Sequence, residues 1–360
     1  MGCHFCGGKS IRFGKTGSGK VRFQCTICLR TFGRKRSLAV TFLDFCRFRD
    51  FVAGITNRQG ITRLLKIRRE TLSERFKIFF DCPVNPVDLW EILPPQMVLG
   101  NNSWIYGVDG KHLHHDGVFL IHRDVTNREN IFWSFWPSES YLALESDIKT
   151  LVELISLFGK NFPVGAISDW KGAIVAAVGC HFGPIPHQRC LTHVGNLAKR
   201  LLPENSPYQA TRQLRLLAKG LSFLNNKLEM VDWLWELELW KQKYGEMLKE
   251  KTWGIGTRKK WWYTHGNLLR GFRLLTRDQG PFFVYLDNSL IPKTNNSLEG
   301  VNGQAVQKLG DHRGMKIPQQ ASFLSWHLTF GRVKNRGDLK KLWALWKEGF
   351  FQRLPTRKDT

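Results

Sequence analysis

Residues 103–125 read SWIYGVDGKHLHHDGVFLIHRDV. The apolar runs WIYGV and VFLI flank a polar, glycine-bearing stretch, which predicts two strands joined by a turn. NIFWSFWPSES at 130–140 predicts a third strand. The period then changes. Residues 139–160 place apolar residues at helical spacing and stop at Gly159. PVGAISDW at 163–170 reads as a short buried strand ending in an acid, and 171–190 as a helix followed by another strand. A strand meander followed by strand–helix alternation implies a mixed α/β sheet.

Toward the N-terminus, DCPVNPVDLWEILPPQM (81–97) is proline-rich, which predicts an extended linker over 83–100. Before it, SLAVTFLDFCRFRDFVAG (37–54) and NRQGITRLLKIRRETLSERFKIFFD (57–81) have helical spacing with a break near 66–68. Residues 34–82 thus read as a helix-turn-helix unit whose Arg68, Arg69, Ser73 and Arg75 would face a DNA major groove. An ordinary basic helical hairpin has the same pattern.

Residues 1–33 contain Cys3-x2-Cys6 and Cys25-x2-Cys28 on either side of a hairpin pattern with a Gly/Ser turn. Two thiolate pairs complete a tetrahedral site, so a structural Zn2+ is expected at Cys3, Cys6, Cys25 and Cys28. The other four of the 8 cysteines are scattered, which suits a metal knot in a reducing compartment better than a disulfide framework. Arg12, Lys15, Lys20 and Arg22 line the hairpin, either facing phosphates or forming a solvated basic face.

Toward the C-terminus, residues 195–288 read as helix after helix, with Trp233, Trp235, Trp240, Trp253, Trp261 and Trp262 concentrated there. Most of these tryptophans are expected to pack between helices. Residues 336–360 read as a basic helix and a tail.

The chain of 360 residues has 54 Lys and Arg against 30 Asp and Glu, a formal net charge of +24. Such an excess favours a polyanionic partner, because each neutralised phosphate releases counterions. The basic residues are spread along the whole chain, unlike the single basic amphipathic helix of a membrane-surface protein. No apolar run approaches the ~20 residues that cross a bilayer. The start, MGCHFC, lacks both a secretory apolar region and the Ser or Thr of an acylation signal.

Three acids stand apart in this basic chain. Asp109 ends the run WIYGVD, Asp169 ends VGAISD, and Glu299 enters a predicted helix, LEGVNGQAVQKLG. Strand ends converge on ligand crevices in α/β sheets. Carboxylates meeting there would make an all-oxygen site suited to Mg2+ or Mn2+, two ions of which can hold both oxygens of a displacement at phosphorus. An Asp at a strand exit is also a common turn or cap residue. Cys190 and His193, with Cys180, His181 and His187 nearby, read either as a second zinc site or as a buried thiol and a core histidine.

YGVDGKHL (106–113), GAISDWKGA (165–173), HQRCLTHVGNLAKRL (187–201) and KTNNSLEGVN (293–302) together resemble the bacterial members of the Mutator-like superfamily of DDE transposases. The resemblance covers about 100–330. It implies a ribonuclease-H-like catalytic domain in two parts, 101–194 and 289–335, interrupted by a helical insertion at 195–288. It implies Asp109, Asp169 and Glu299 as catalytic Mg2+ ligands, two ions per site, with Cys190 and His193 shaping the site. His312 and Arg313, in a segment that also resembles the family, either touch DNA or cap and pair. The implied activity is cleavage of double-stranded DNA at the ends of an insertion sequence and strand transfer to target DNA, by a homodimer or larger assembly on the bacterial nucleoid, in the cytoplasm. A DNA-binding regulator without catalysis and a structure-specific nuclease of the same fold are the rival expectations.

Overall fold

A computed structural model describes Cys3, Cys6 and residues 8–15, 17, 19, 21–33, 40–96, 103–113, 116–254, 260–310 and 314–353. Lys20, His312, Arg313 and the tail from 354 onward lie outside them. The chain divides into two compact units, one of residues 1–51 with 56–78 and one of residues 52–55 with 79–360.

In the first unit, β1 (Ser10–Lys15), β2 (Val21–Cys25) and β3 (Thr31–Gly33) form an antiparallel sheet in that order. Three helices follow: α1 (Phe42–Ala53), α2 (Arg58–Leu65) and α3 (Arg69–Asp81). Asn57 caps α2 by accepting the Gly60 N–H at 2.8 Å, and Lys66 ends it in the left-handed conformation (φ 50°). Phe76 of α3 packs on Phe48 and Phe51 of α1, with ring centroids 5.3 Å apart in both pairs.

The second unit opens with a difference from the sequence reading. The proline-rich stretch is not extended throughout, because Pro86–Ile92 forms helix α4. Asn85 caps it, Pro86 takes its first turn, and the fully buried Trp90 donates its indole N–H to the Ile131 carbonyl at 2.8 Å.

Next come β4 (Ile105–His112), β5 (Val118–Asp124), β6 (Glu129–Trp136), α5 (Tyr141–Leu157), β7 (Gly165–Ser168), α6 (Gly172–Phe182) and β8 (His187–Arg189). The five strands make one mixed sheet in the order β6-β5-β4-β7-β8. β4, β5 and β6 pair antiparallel; β7 joins β4, and β8 joins β7, in parallel. Trp104, Tyr106 and Val108 enter a core shared with Leu144, Ile148 and Leu151 of α5 and Ile174 and Val178 of α6.

A helical block with its own core follows: α7 (Leu191–Leu201), α8 (Gln209–Gly220), α9 (Lys227–Tyr244), β9 (Lys251–Trp253), β10 (Trp261–Tyr263), α10 (Gly266–Thr276) and α11 (Val284–Asp287). Trp233 and Trp240 are buried in it. The sequence reading made this region helical throughout; instead β9 and β10 pair as a hairpin on which Trp253, Trp261 and Trp262 are exposed. Aromatic and Thr residues favour extended backbone. The chain closes with α12 (Asn296–Gly310), α13 (Ile317–Gly331) and α14 (Arg336–Arg353). Among the described residues, no helix is long and apolar enough to cross a membrane.

Candidate active site

Successive residues of a strand face opposite ways. β4 turns Tyr106 and Val108 into the α5/α6 core, so Ile105, Gly107 and Asp109 face the other side, where Ile105 meets Ile167, Cys190 and Ile291. Asp109 lies inside β4, three residues short of its end, and not at the strand exit. Gly107 permits a close approach there, since a Cβ at this position would fall 2.6 Å from Val125 Cγ2 and 3.4 Å from Asn295 Oδ1.

Two local links bring α12 to this face. The Asn295 N–H donates to Cys190 Sγ at 3.2 Å, and Thr192 Oγ1 donates to Asn296 Oδ1 at 3.1 Å. They tie the first turn of α12 to the first turn of α7. Glu299 and Asn302, one turn apart on α12, both reach the cluster. Asn302 Nδ2 donates to Asp109 Oδ2 at 2.6 Å. His193 of α7 lies between the acids, with Nε2 3.9 Å from Asp109 Oδ1 and Nδ1 3.6 Å from Glu299 Oε1. Asp169 follows β7, and its Oδ2 is 3.1 Å from Lys171 Nζ.

A fourth carboxylate, absent from the sequence reading, belongs to the same cluster. Glu139 precedes α5, its side chain is only 5% exposed, and it pairs with Lys171 and, at 3.7 Å, with His112 Nε2. It occupies the space over Gly110, where a Cβ would lie 3.0 Å from Glu139 Oε2. Lys171 thus bridges Glu139 and Asp169.

The electrostatics follow from burial of like charges. Burial raises the pKa of Asp109; Asp169 adds to the rise, while His193 and the Asn302 donor oppose it. Glu299 and Glu139 are also raised, first by burial and then by Asp109 among their neighbours. His193 is raised to about 9, first by its hydrogen bond with Cys190 and further by Asp109 and Asp169, against its burial. Among the described residues, Glu139 Oε1 and Asn302 Oδ1 are buried with no hydrogen-bond partner.

Two groups of Cys, His and acidic residues among the described residues bring their ligand atoms within 4.8 Å of one another. One is Cys3, Cys6, Cys25 and Cys28. The other is Cys190, His193 and Glu299. Asp109, Asp169 and Glu299 share electrostatic neighbours without meeting at one point. The wider cysteine–histidine set does not assemble: Cys180 is exposed, His181 lies 3.9 Å from Glu145, and His187 pairs with Ser168 Oγ at 2.8 Å.

In the first unit, Cys3 and Cys28 sulfurs are 3.6 Å apart and Cys6 and Cys25 sulfurs 3.4 Å. A zinc tetrahedron with ~2.3 Å bonds has edges of about 3.8 Å, so the four thiols can hold a metal ion. The N–H of Cys28, then that of Ile27, draws the Cys25 thiol down to about 6. Arg12, Lys15, Arg68 and Arg69 are exposed, and Ser73 is half-buried. Arg22 spends a donor on Thr31 Oγ1 at 3.4 Å. Arg75 does not point freely outward as expected: it pairs at 3.1 Å with Asp44, a buried acid of α1 that needs a counter-charge.

No family model matches the chain, and no curated protein matches it.

Proposed function

We propose that the chain is a DDE-type DNA transposase, with Asp109, Asp169 and Glu299 as its catalytic acids. The observation that carries this reading is the gathering of those acids, from β4, the end of β7 and the start of α12, around His193 and Lys171. The sheet order β6-β5-β4-β7-β8, antiparallel in its first three strands and parallel in the rest, supports a ribonuclease-H-like core. The helical block between β8 and α12 supports the inserted form of that fold.

The donor set suits hard cations. Carboxylates from three elements, with the orphaned oxygens of Asn302 and Glu139 beside them, offer the all-oxygen surroundings that Mg2+ or Mn2+ takes. Asp109 would be the shared acid, between Asp169 on one side and Glu299 on the other. Bound Mg2+ or Mn2+ would supply positive charge beside the reacting phosphate. The protein's own residues do the positioning. Asn302 fixes the Asp109 carboxylate, Cys190 lies 3.9 Å from Glu299 Oε1, and Lys171 orients Asp169. His193 keeps a proton between two acids, where it can face a phosphate oxygen. Zn2+ at Cys3, Cys6, Cys25 and Cys28 would be structural, and the exposed cations of the first unit would grip the DNA ends. Joining two ends calls for a dimer or larger assembly.

The test is cleavage and joining of DNA carrying the element's ends, with Mg2+, by the parent and by Asp169→Asn. The parent should cut and join, and the variant should bind without cutting. Binding with no cutting by either protein leaves a regulator; cutting without joining leaves a nuclease.

A further inference from the structure

A second site adjoins the acids. Helices α7 and α8 enclose a cleft of about 630 Å³.

 The walls are two helix faces. Thr192, Asn196 and Lys199 line one at helical spacing on α7, and Arg212, Leu216 and Lys219 line the other on α8. The cleft opens beside the acids: Thr192 holds Asn296, three residues before Glu299, and the neighbouring His193 contacts Asp109 and Glu299.

Its cations fall into two sets. Arg212 bonds the Ser206 carbonyl, and Arg215 bonds the Leu202 carbonyl at 2.8 Å and Glu204 at 3.1 Å, so both brace the walls. Lys199 and Lys219 are exposed, and neither ammonium has an ion-pair partner among the described residues. Phe223, 64% exposed, stands at the rim. A cleft of this volume falls in the ~300–1,000 Å³ range that admits a small ligand and excludes a duplex. Unpaired cations that track phosphates, with an aromatic face for a base, are the chemistry of single-strand binding.

We infer that the α7/α8 cleft binds a short single-stranded stretch of nucleic acid next to the reacting phosphate, with Lys199 and Lys219 on its backbone and Phe223 against a base. The inference rests on the proposed reaction for its placement, but its test reads binding alone. Anisotropy of a labelled oligothymidylate is followed against KCl concentration with the full chain and no added Mg2+. Lys199→Ala/Lys219→Ala should flatten the log–log salt slope by about 1.4, since each single-strand phosphate contributes ~0.7. Phe223→Ala should weaken binding about five-fold or more. A duplex of the same length should keep its slope in both variants. Without Mg2+ no cleavage takes part in the readout, so failure of the reaction and failure of the cleft are read separately. An unchanged slope in the lysine pair, equal flattening by the surface pair Lys340→Ala/Lys341→Ala, or equal flattening on duplex would overturn the inference.

Discussion

Asn302→Leu is the sharpest perturbation of the acid cluster. Asn302 Nδ2 donates to Asp109 Oδ2 at 2.6 Å, and burial already raises that carboxyl. A hydrogen bond to an ionised acceptor contributes about 1.5–3 kcal/mol, which a leucine removes without opening a large cavity. At 1.36 kcal/mol per pH unit, the Asp109 carboxyl should rise by about 1–2 units further. The sign follows from its ionisation. Asp109 must be a carboxylate to hold a cation, so a higher pKa makes the acid limb fail earlier as pH falls. Single-turnover DNA cleavage with Mg2+, run from about pH 5 to 9, should show that limb displaced upward by about 1–2 units, with the rate restored at high pH. Mn2+ titration by calorimetry should follow the same displacement. An acid limb that stays in place, or moves down, would refute the role given to Asn302, and a rate lost equally at every pH would point to misplacement of α12 instead.

Asp147 accepts from His122, Ser134 and the Trp136 indole in a buried network, so Asp147→Leu should cost roughly 3–5 kcal/mol in urea unfolding and Asp147→Asn, which keeps one acceptor, clearly less. Trp90→Ala should cost about 3–5 kcal/mol in the same assay, because α4 is anchored in the sheet core; a chain in which 83–100 were a free linker would lose almost nothing. Burial holds His187 down at about 4, so the unfolded chain takes up its proton first as pH falls. Stability should drop from about pH 6.5 to about pH 4 by up to ~3 kcal/mol, and His187→Gln should remove that share of the slope. Cys25→Ser should lower bound zinc, measured by atomic absorption, and melt the knot around Phe32 while the five-stranded sheet keeps its unfolding midpoint.

The sheet was legible because its strands are apolar runs broken by turn residues, and the cysteine knot because its spacing leaves few alternatives. The capping pattern of α4 was also legible: Asn85 and Pro86 are a helix start that the high proline content obscured. Other features were not. The β9/β10 hairpin is only three residues to a strand and lies among helices whose spacing dominates the region, and its pairing of Trp253 with Trp261 joins residues that are not neighbours in sequence. Arg75 lies on α3 at a position that could face either way, and only the buried Asp44 of α1 decides it. Glu139 carries no sequence signal. It sits in PSES ahead of a helix, as many solvated acids do, and its burial depends on the missing side chain of Gly110 and on Lys171 far along the chain.

That hidden acid bears on why carboxylates persist in a chain of net charge +24. Remote Lys and Arg do little for a partly buried acid, because solvent and salt screen charges beyond about 10 Å. The local cations are Lys171 and His193, and Asp109, Glu139 and Glu299 remain raised despite them. Folding therefore works against keeping these groups ionised together. A fold relieves such repulsion readily by substituting an amide, at little cost in packing. Four acids held from four different elements, with buried oxygens left unpaired beside them, cost stability that nothing in the sheet or helix packing returns. On the proposed reading, the compensation comes from what the cluster binds, a divalent cation whose charge would reverse the sign of the site.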